Sequence, residues 1–163
     1  MKIKIPLYIL FFSCIALGFS QGKKVIRKNN IRMHIEYVKE GEATYKSEQI
    51  SYDSNGNPLE IIKYNKDGSI RKKLTYKYDK NKNPTEESVY ENTKLIQKKT
   101  YVYNSFDEKV SEITYDGEGK ITEKEEFSYN NKGLRSEKKT FDKNGRLIEV
   151  RTYHYFTKKP DEK

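Results

Sequence analysis

Tyr52-Asp53-Ser54-Asn55-Gly56, Tyr115-Asp116-Gly117-Glu118-Gly119 and Phe141-Asp142-Lys143-Asn144-Gly145 share one pattern: an aromatic residue, an Asp, and a glycine four places after the aromatic. Tyr64-Asn65-Lys66-Asp67-Gly68 and Tyr129-Asn130-Asn131-Lys132-Gly133 repeat it with Asn in the second place. An Asp or Asn side chain bonds to its own turn backbone, and glycine reaches the positive φ that a tight hairpin requires. The five segments are therefore read as hairpin turns. Residues 79–83 and 105–109 hold equivalent places without the glycine, which predicts longer or differently built loops there and an imperfect array.

The aromatics that flank these turns fall in registers. Tyr52, Tyr78, Tyr103, Tyr129 and Tyr155 are separated by 26, 25, 26 and 26 residues, and Tyr64, Tyr90, Tyr115 and Phe141 lie between them at 26, 25 and 26. A third register, Ile50, Tyr76, Tyr101, Phe127 and Tyr153, precedes the first by two residues. A fixed period of this length marks an internal repeat. Two residues apart on a strand means the same face, so Tyr76/Tyr78, Tyr101/Tyr103, Phe127/Tyr129 and Tyr153/Tyr155 are expected side by side, forming the candidate binding face.

Each repeat then holds a long strand (Ile70 to Tyr78, Leu95 to Tyr103, Ile121 to Tyr129, Leu147 to Tyr155) and a short one (Leu59 to Tyr64, Thr85 to Tyr90, Val110 to Tyr115, Arg135 to Phe141). Residues 49–155 form the repeats, 21–48 a degenerate opening unit that caps them, and 156–163 a polar tail. The predicted fold is all-β, a continuous antiparallel hairpin array of about nine to eleven strands, as a coiled or single-layer meander. No helix is expected. A flat sheet would leave two wet faces and long edges, so the sheet is expected to coil or fold over itself. Val102, Ile148 and Val150 alternate against the aromatics and predict a second, weakly apolar face.

The first twenty residues are a separate piece. Lys2 and Lys4 precede an apolar run from Ile5 to Leu17, and Gly18-Phe19-Ser20 leads into polar sequence, the order of a signal peptide cut after Ser20. An uncleaved anchor, or acylation at Cys14, are the alternatives. Removal of this segment takes the formal charge from +9 to +7 and removes the single cysteine, so no mature disulfide or cysteine metal site is expected. The remaining chain is lean in apolar residues, but 17 of them are Tyr or Phe, the opposite of a disordered composition.

Tyr52-Asp53-Ser54-Asn55-Gly56-Asn57-Pro58-Leu59-Glu60, Tyr115 to Ile121 and Phe141 to Leu147 resemble the tyrosine-aspartate repeats of the RHS type, and less closely the hairpins of MORN-like repeat proteins. The resemblance implies an exported bacterial protein of successive hairpins, and the signal style is similar to that of the Bacteroidota. In large family members the repeats wrap into a shell around a toxic carboxy-terminal domain. This chain has too few repeats for such a shell, so that role is not carried over.

Catalytic chemistry is thinly represented. His34 and His154 lie far apart in alternating segments and are expected to be exposed, and no metal or cofactor is expected. Glu86-Glu87, Glu123, Glu125 and Glu126 could supply a hydrolase pair, but they alternate with lysines in the manner of cross-strand Lys/Glu pairs on wet faces. Lys23-Lys24, Arg27-Lys28, Arg71-Lys72-Lys73, Lys98-Lys99 and Lys138-Lys139 interleave with aromatics as in single-strand nucleic-acid binders, yet export argues against nucleic acid. The expectation is a non-enzymatic exported scaffold, in the periplasm, at the outer membrane or secreted, with no integral membrane segment when mature. It would bind an envelope or extracellular protein or polysaccharide. A structural component associating weakly through its sheet edges is the alternative.

Overall fold

A computed structural model describes residues 15–157. Most of the expected signal segment and the end of the tail lie outside them. A helix, α1 (Ile15–Lys28), precedes ten strands: β1 (Met33–Glu40), β2 (Ala43–Tyr52), β3 (Pro58–Tyr64), β4 (Ile70–Tyr78), β5 (Pro84–Glu91), β6 (Lys94–Tyr103), β7 (Lys109–Asp116), β8 (Ile121–Tyr129), β9 (Arg135–Asp142) and β10 (Leu147–Thr152). They form one antiparallel sheet in chain order, β1 at one edge and β10 at the other. The sheet is open and single-layered: it neither closes on itself nor folds over. The expected coiling is corrected here, and the physical reason lies in how its side chains shield one another, described below.

The expected hairpin period holds closely. Three long strands end where predicted, whereas the fourth stops at Thr152, although the Tyr153 amide still donates to the Ser136 carbonyl. Seven connections share one geometry, including the two without glycine. In each, the first Asp or Asn accepts at its carbonyl from the fourth residue and donates to the carbonyl of the fifth, as in Gly145 N to Asp142 O and Asp142 N to Arg146 O, both 2.9 Å. This is a type I turn followed by one residue with positive φ. Lys82 (φ 72°) and Asp107 (φ 60°) fill the place taken elsewhere by glycine. The prediction of different loops at 79–83 and 105–109 was therefore wrong, because the Asx side chain sets the turn. Asn104 Oδ1 accepts from the amides of Phe106 and Glu108, as Asp142 Oδ1 does from Asn144 and Arg146.

Alternation divides the sheet into two faces. Ile50, Ile61, Leu74 and Val89 are opposed in successive strands on the front face, which also carries the expected aromatic pairs. With Tyr52 they form the main buried cluster. Helix α1 covers it. Ile26 and Ile31 pack against the cluster, and the helix ends in a Schellman motif: Ile31 N bonds Ile26 O at 3.0 Å and Asn30 N bonds Arg27 O at 3.2 Å, with Asn30 left-handed at φ 52°. The missed signal was Arg27 and Lys28 in a last turn, followed by Asn29-Asn30. The opening unit is thus a helix and a hairpin, with β2 running across the expected boundary at residue 48.

Candidate functional site

The front face gathers all eight expected aromatics, and the sheet itself engages most of them. Tyr78, Tyr129 and Tyr155 donate their hydroxyls to the carbonyls of Pro58, Lys109 and Arg135, at 2.7, 2.8 and 2.8 Å. Each latches the end of one long strand to the start of the short strand before it. Phe127 is buried, with Lys109 Nζ 4.8 Å and Arg135 Cζ 4.4 Å from its ring centroid; Lys109 also lies 5.2 Å from the Tyr101 ring. These cations attract the aromatic quadrupole and their alkyl stems cover the rings, so a single layer shields aromatic area without a second sheet. Tyr76, Tyr103 and Tyr153 are half-buried, and Tyr155 is exposed. Burial raises the Tyr76, Tyr78 and Tyr101 hydroxyls well above the tyrosine range and pushes Tyr103 up to about 12.

Two carboxylates in the middle of this face behave oppositely. Burial raises Glu87, which Lys99 and the Tyr101 hydroxyl (3.4 Å) only partly offset; its Oε1 is buried without a partner. Burial also opposes the charge of Glu112, but Lys109 and Lys99 each approach within 2.6 Å, outweigh it, and hold the carboxyl below its ordinary range. Among the other acidic residues noted above, Glu86 pairs with Lys77 across strands as expected, whereas Glu126 pairs with Lys124 along its own strand and Glu125 with Lys138 in a shielded place on the front face. His34 and His154 are exposed. Among the described residues no three His, Cys, Asp or Glu side chains converge as metal ligands, and no helix is long and apolar enough to cross a membrane.

The back face carries a pattern that needed the register to be seen. Lys46, Lys73, Lys98 and Lys124, one per long strand, stand 4.2, 4.8, 4.8 and 5.8 Å from the ring centroids of Tyr64, Tyr90, Tyr115 and Phe141. Three of these pairs are directly opposed across neighbouring strands. Their sequence spacing of 27, 25 and 26 follows the repeat, but lysines are too common here for spacing alone to single them out. The expected second apolar surface is present: Val102, Ile148 and Val150 are exposed.

Concavity appears beside the first of these pairs. A groove of about 280 Å³ is lined by Tyr45, Ser47, Tyr64, Asn65, Lys66 and Arg71. Ser47 is there because β2 has a bulge: Glu36 opposes Glu48 and Tyr37 opposes Lys46, leaving Ser47 as the extra residue. Its hydroxyl donates to Glu36 Oε1 at 2.6 Å. Glu40 accepts from Lys66 and from the Tyr45 hydroxyl (2.7 Å), which together hold its carboxyl low. Asn65 Nδ2 donates to Ser69 Oγ at 2.9 Å. Arg71 has no carboxylate within ion-pair distance among the described residues. The groove therefore combines two tyrosines, a hydroxyl, an amide and an uncompensated guanidinium.

No protein-family model and no curated protein matches the chain. Among solved structures it is similar to TarM (20% identity, TM-score 0.34, over 77% of this chain and 22% of that one) and to the GtfA/B complex bound to UDP and GlcNAc (14%, 0.29, over 72% and 24%). A protein of unknown function from Bacteroides fragilis aligns over 77% of this chain and 96% of its own, at 15% identity and a TM-score of 0.29. The chain spans less than a quarter of the first two.

Proposed function

We propose that the chain is a non-enzymatic, exported repeat scaffold that binds an acidic glycan of the cell envelope in the groove between Tyr45 and Arg71. The observation that carries the reading is the Arg71 guanidinium, without a carboxylate partner among the described residues, beside two tyrosines. Sugar rings present C–H faces to aromatic side chains, their hydroxyls pair with Ser and Asn, and a carboxylate or phosphate suits a guanidinium fork. Lys46 on the Tyr64 ring adds positive potential, and the charge of +7 left after removal of the signal segment favours encounter with an anionic polymer. Support for the non-enzymatic part is that both oxygens of Glu112 are taken by lysines and that a lysine also pairs with each of Glu86, Glu125 and Glu126.

Titration calorimetry with uronate-bearing, phosphate-bearing and neutral oligosaccharides tests this. The acidic sugars are expected to bind, the neutral ones weakly, and Arg71→Ala to weaken binding about tenfold, the loss of one charge-assisted contact. A folded Arg71→Ala variant that binds acidic sugars as the parent does overturns the reading. Failure of every sugar, with Arg71-dependent capture of an envelope protein instead, replaces the glycan by a protein partner.

A further inference from the structure

We infer that copies of this chain add head to tail, β10 of one pairing with β1 of the next in a defined register. Parity of the strand count sets the orientation. Ten antiparallel strands in chain order leave β1 and β10 running in opposite directions, so a copy in the same orientation meets β10 antiparallel with its front face on the same side. Long and short strands also alternate throughout. Strand β10 has the place of a long strand and β1 that of a short one, so the new junction repeats one already made four times within the chain, at β2–β3, β4–β5, β6–β7 and β8–β9.

That repetition predicts the register. In the β8–β9 junction Lys124 opposes Phe141 and Glu125 opposes Thr140. One repeat of 26 residues after Lys124 is Val150, and the aromatic that precedes Tyr64 by 27 is Tyr37. Both side chains belong to the back face and both are exposed, Val150 at 47% and Tyr37 at 62%. Placing Val150 on Tyr37 of the next copy sets Arg151 directly opposite that copy's Glu36, on the front face. Opposite charges meet with no adjustment of register.

The edges are chemically suited to pairing. Lysine on an edge strand is a usual guard against strand addition. Here the four inner long strands carry lysine at this place, and the edge strand carries valine. Met33 and Ile35 extend an exposed apolar row from Tyr37 along β1, where this register sets Thr152 opposite Ile35. Pairing β10 with its own copy lacks this complement, because it sets one chemical surface against itself. A head-to-tail contact is heterologous, so it builds open filaments or a ring rather than closed dimers.

Light scattering and sedimentation, on protein purified from cells expressing the full chain, read the outcome. Mass is expected to rise with concentration past the dimer. Val150→Lys should return the chain to monomer, as should Arg151→Glu and Glu36→Arg separately, each by setting like charges opposite one another. Mixing the last two variants should restore assembly, since each supplies the charge the other lacks; unchanged circular dichroism confirms that all are folded. A parent that stays monomeric, a closed dimer, variants that assemble alone, or a mixture of folded variants that does not assemble overturns the inference.

Discussion

The Tyr129 hydroxyl donates to the Lys109 carbonyl at 2.8 Å, tying the end of β8 to the start of β7. Tyr78 with Pro58 and Tyr155 with Arg135 make the same tie, each across 20 residues. Three of the five tyrosines in this register thus close a polar contact as well as cover the sheet. Tyr129→Phe keeps the ring and leaves a half-buried carbonyl without its donor. Stability should fall by about 1 kcal/mol, read as a lower urea midpoint with an unchanged m-value.

The turn at Asp79 carries a positive φ on Lys82, where five other repeats of the motif have glycine. A side chain in that region costs about 1–2 kcal/mol, while glycine adds about 0.4–1 kcal/mol of unfolded-state entropy. Lys82→Gly should therefore stabilise by roughly 0.5–1 kcal/mol. Gly145→Ala, at φ 77° with open space around it, should cost a similar amount. Thermal unfolding of the two variants gives shifts of opposite sign; shifts of the same sign would show that backbone conformation does not control these turns.

The buried Glu87 makes a pH-dependent prediction. Its folded carboxyl is raised, so its charge works against folding: the penalty is absent in acid, where Glu87 is protonated in both states, and grows as pH rises from the unfolded carboxylate range through the raised value. Glu87→Gln removes the charge while keeping an acceptor for Tyr101. It should stabilise the protein by about 1 kcal/mol at neutral pH and lose that advantage at low pH. Glu112 has the opposite sign. Its lowered carboxyl contributes stability above the ordinary carboxylate range, and that contribution is lost as pH falls through the folded value. Denaturant melts of Glu87→Gln and Glu112→Gln across acidic to neutral pH separate the two profiles.

Strands and turns were legible because their signals are local. Tyr, Asp and Gly recur at fixed offsets, and alternation placed Tyr76/Tyr78 and Phe127/Tyr129 on one face. Three features were not local. Helix α1 crosses from the expected signal segment into polar sequence, so neither part alone showed a helical pattern. Turns at 79–83 and 105–109 kept their geometry through Asx hydrogen bonds, which outweighed the missing glycine. The open sheet followed from pairings invisible in one dimension: Lys109 and Arg135 on Phe127, and Lys73 on Tyr90, shield rings that otherwise called for a second layer. The groove arises from the Ser47 bulge, which no residue type announced.

The central claim is that this repeat makes one open layer. Spin labels at Lys39→Cys on β1 and Ile148→Cys on β10, in a Cys14→Ser background diluted with unlabelled protein, report the distance between the edges. Nine strand spacings of about 4.8 Å predict a separation of roughly 40 Å. A distribution centred at about 10 Å or below, the spacing of stacked sheets (about 10 Å) or of paired strands (about 4.8 Å), would contradict the account.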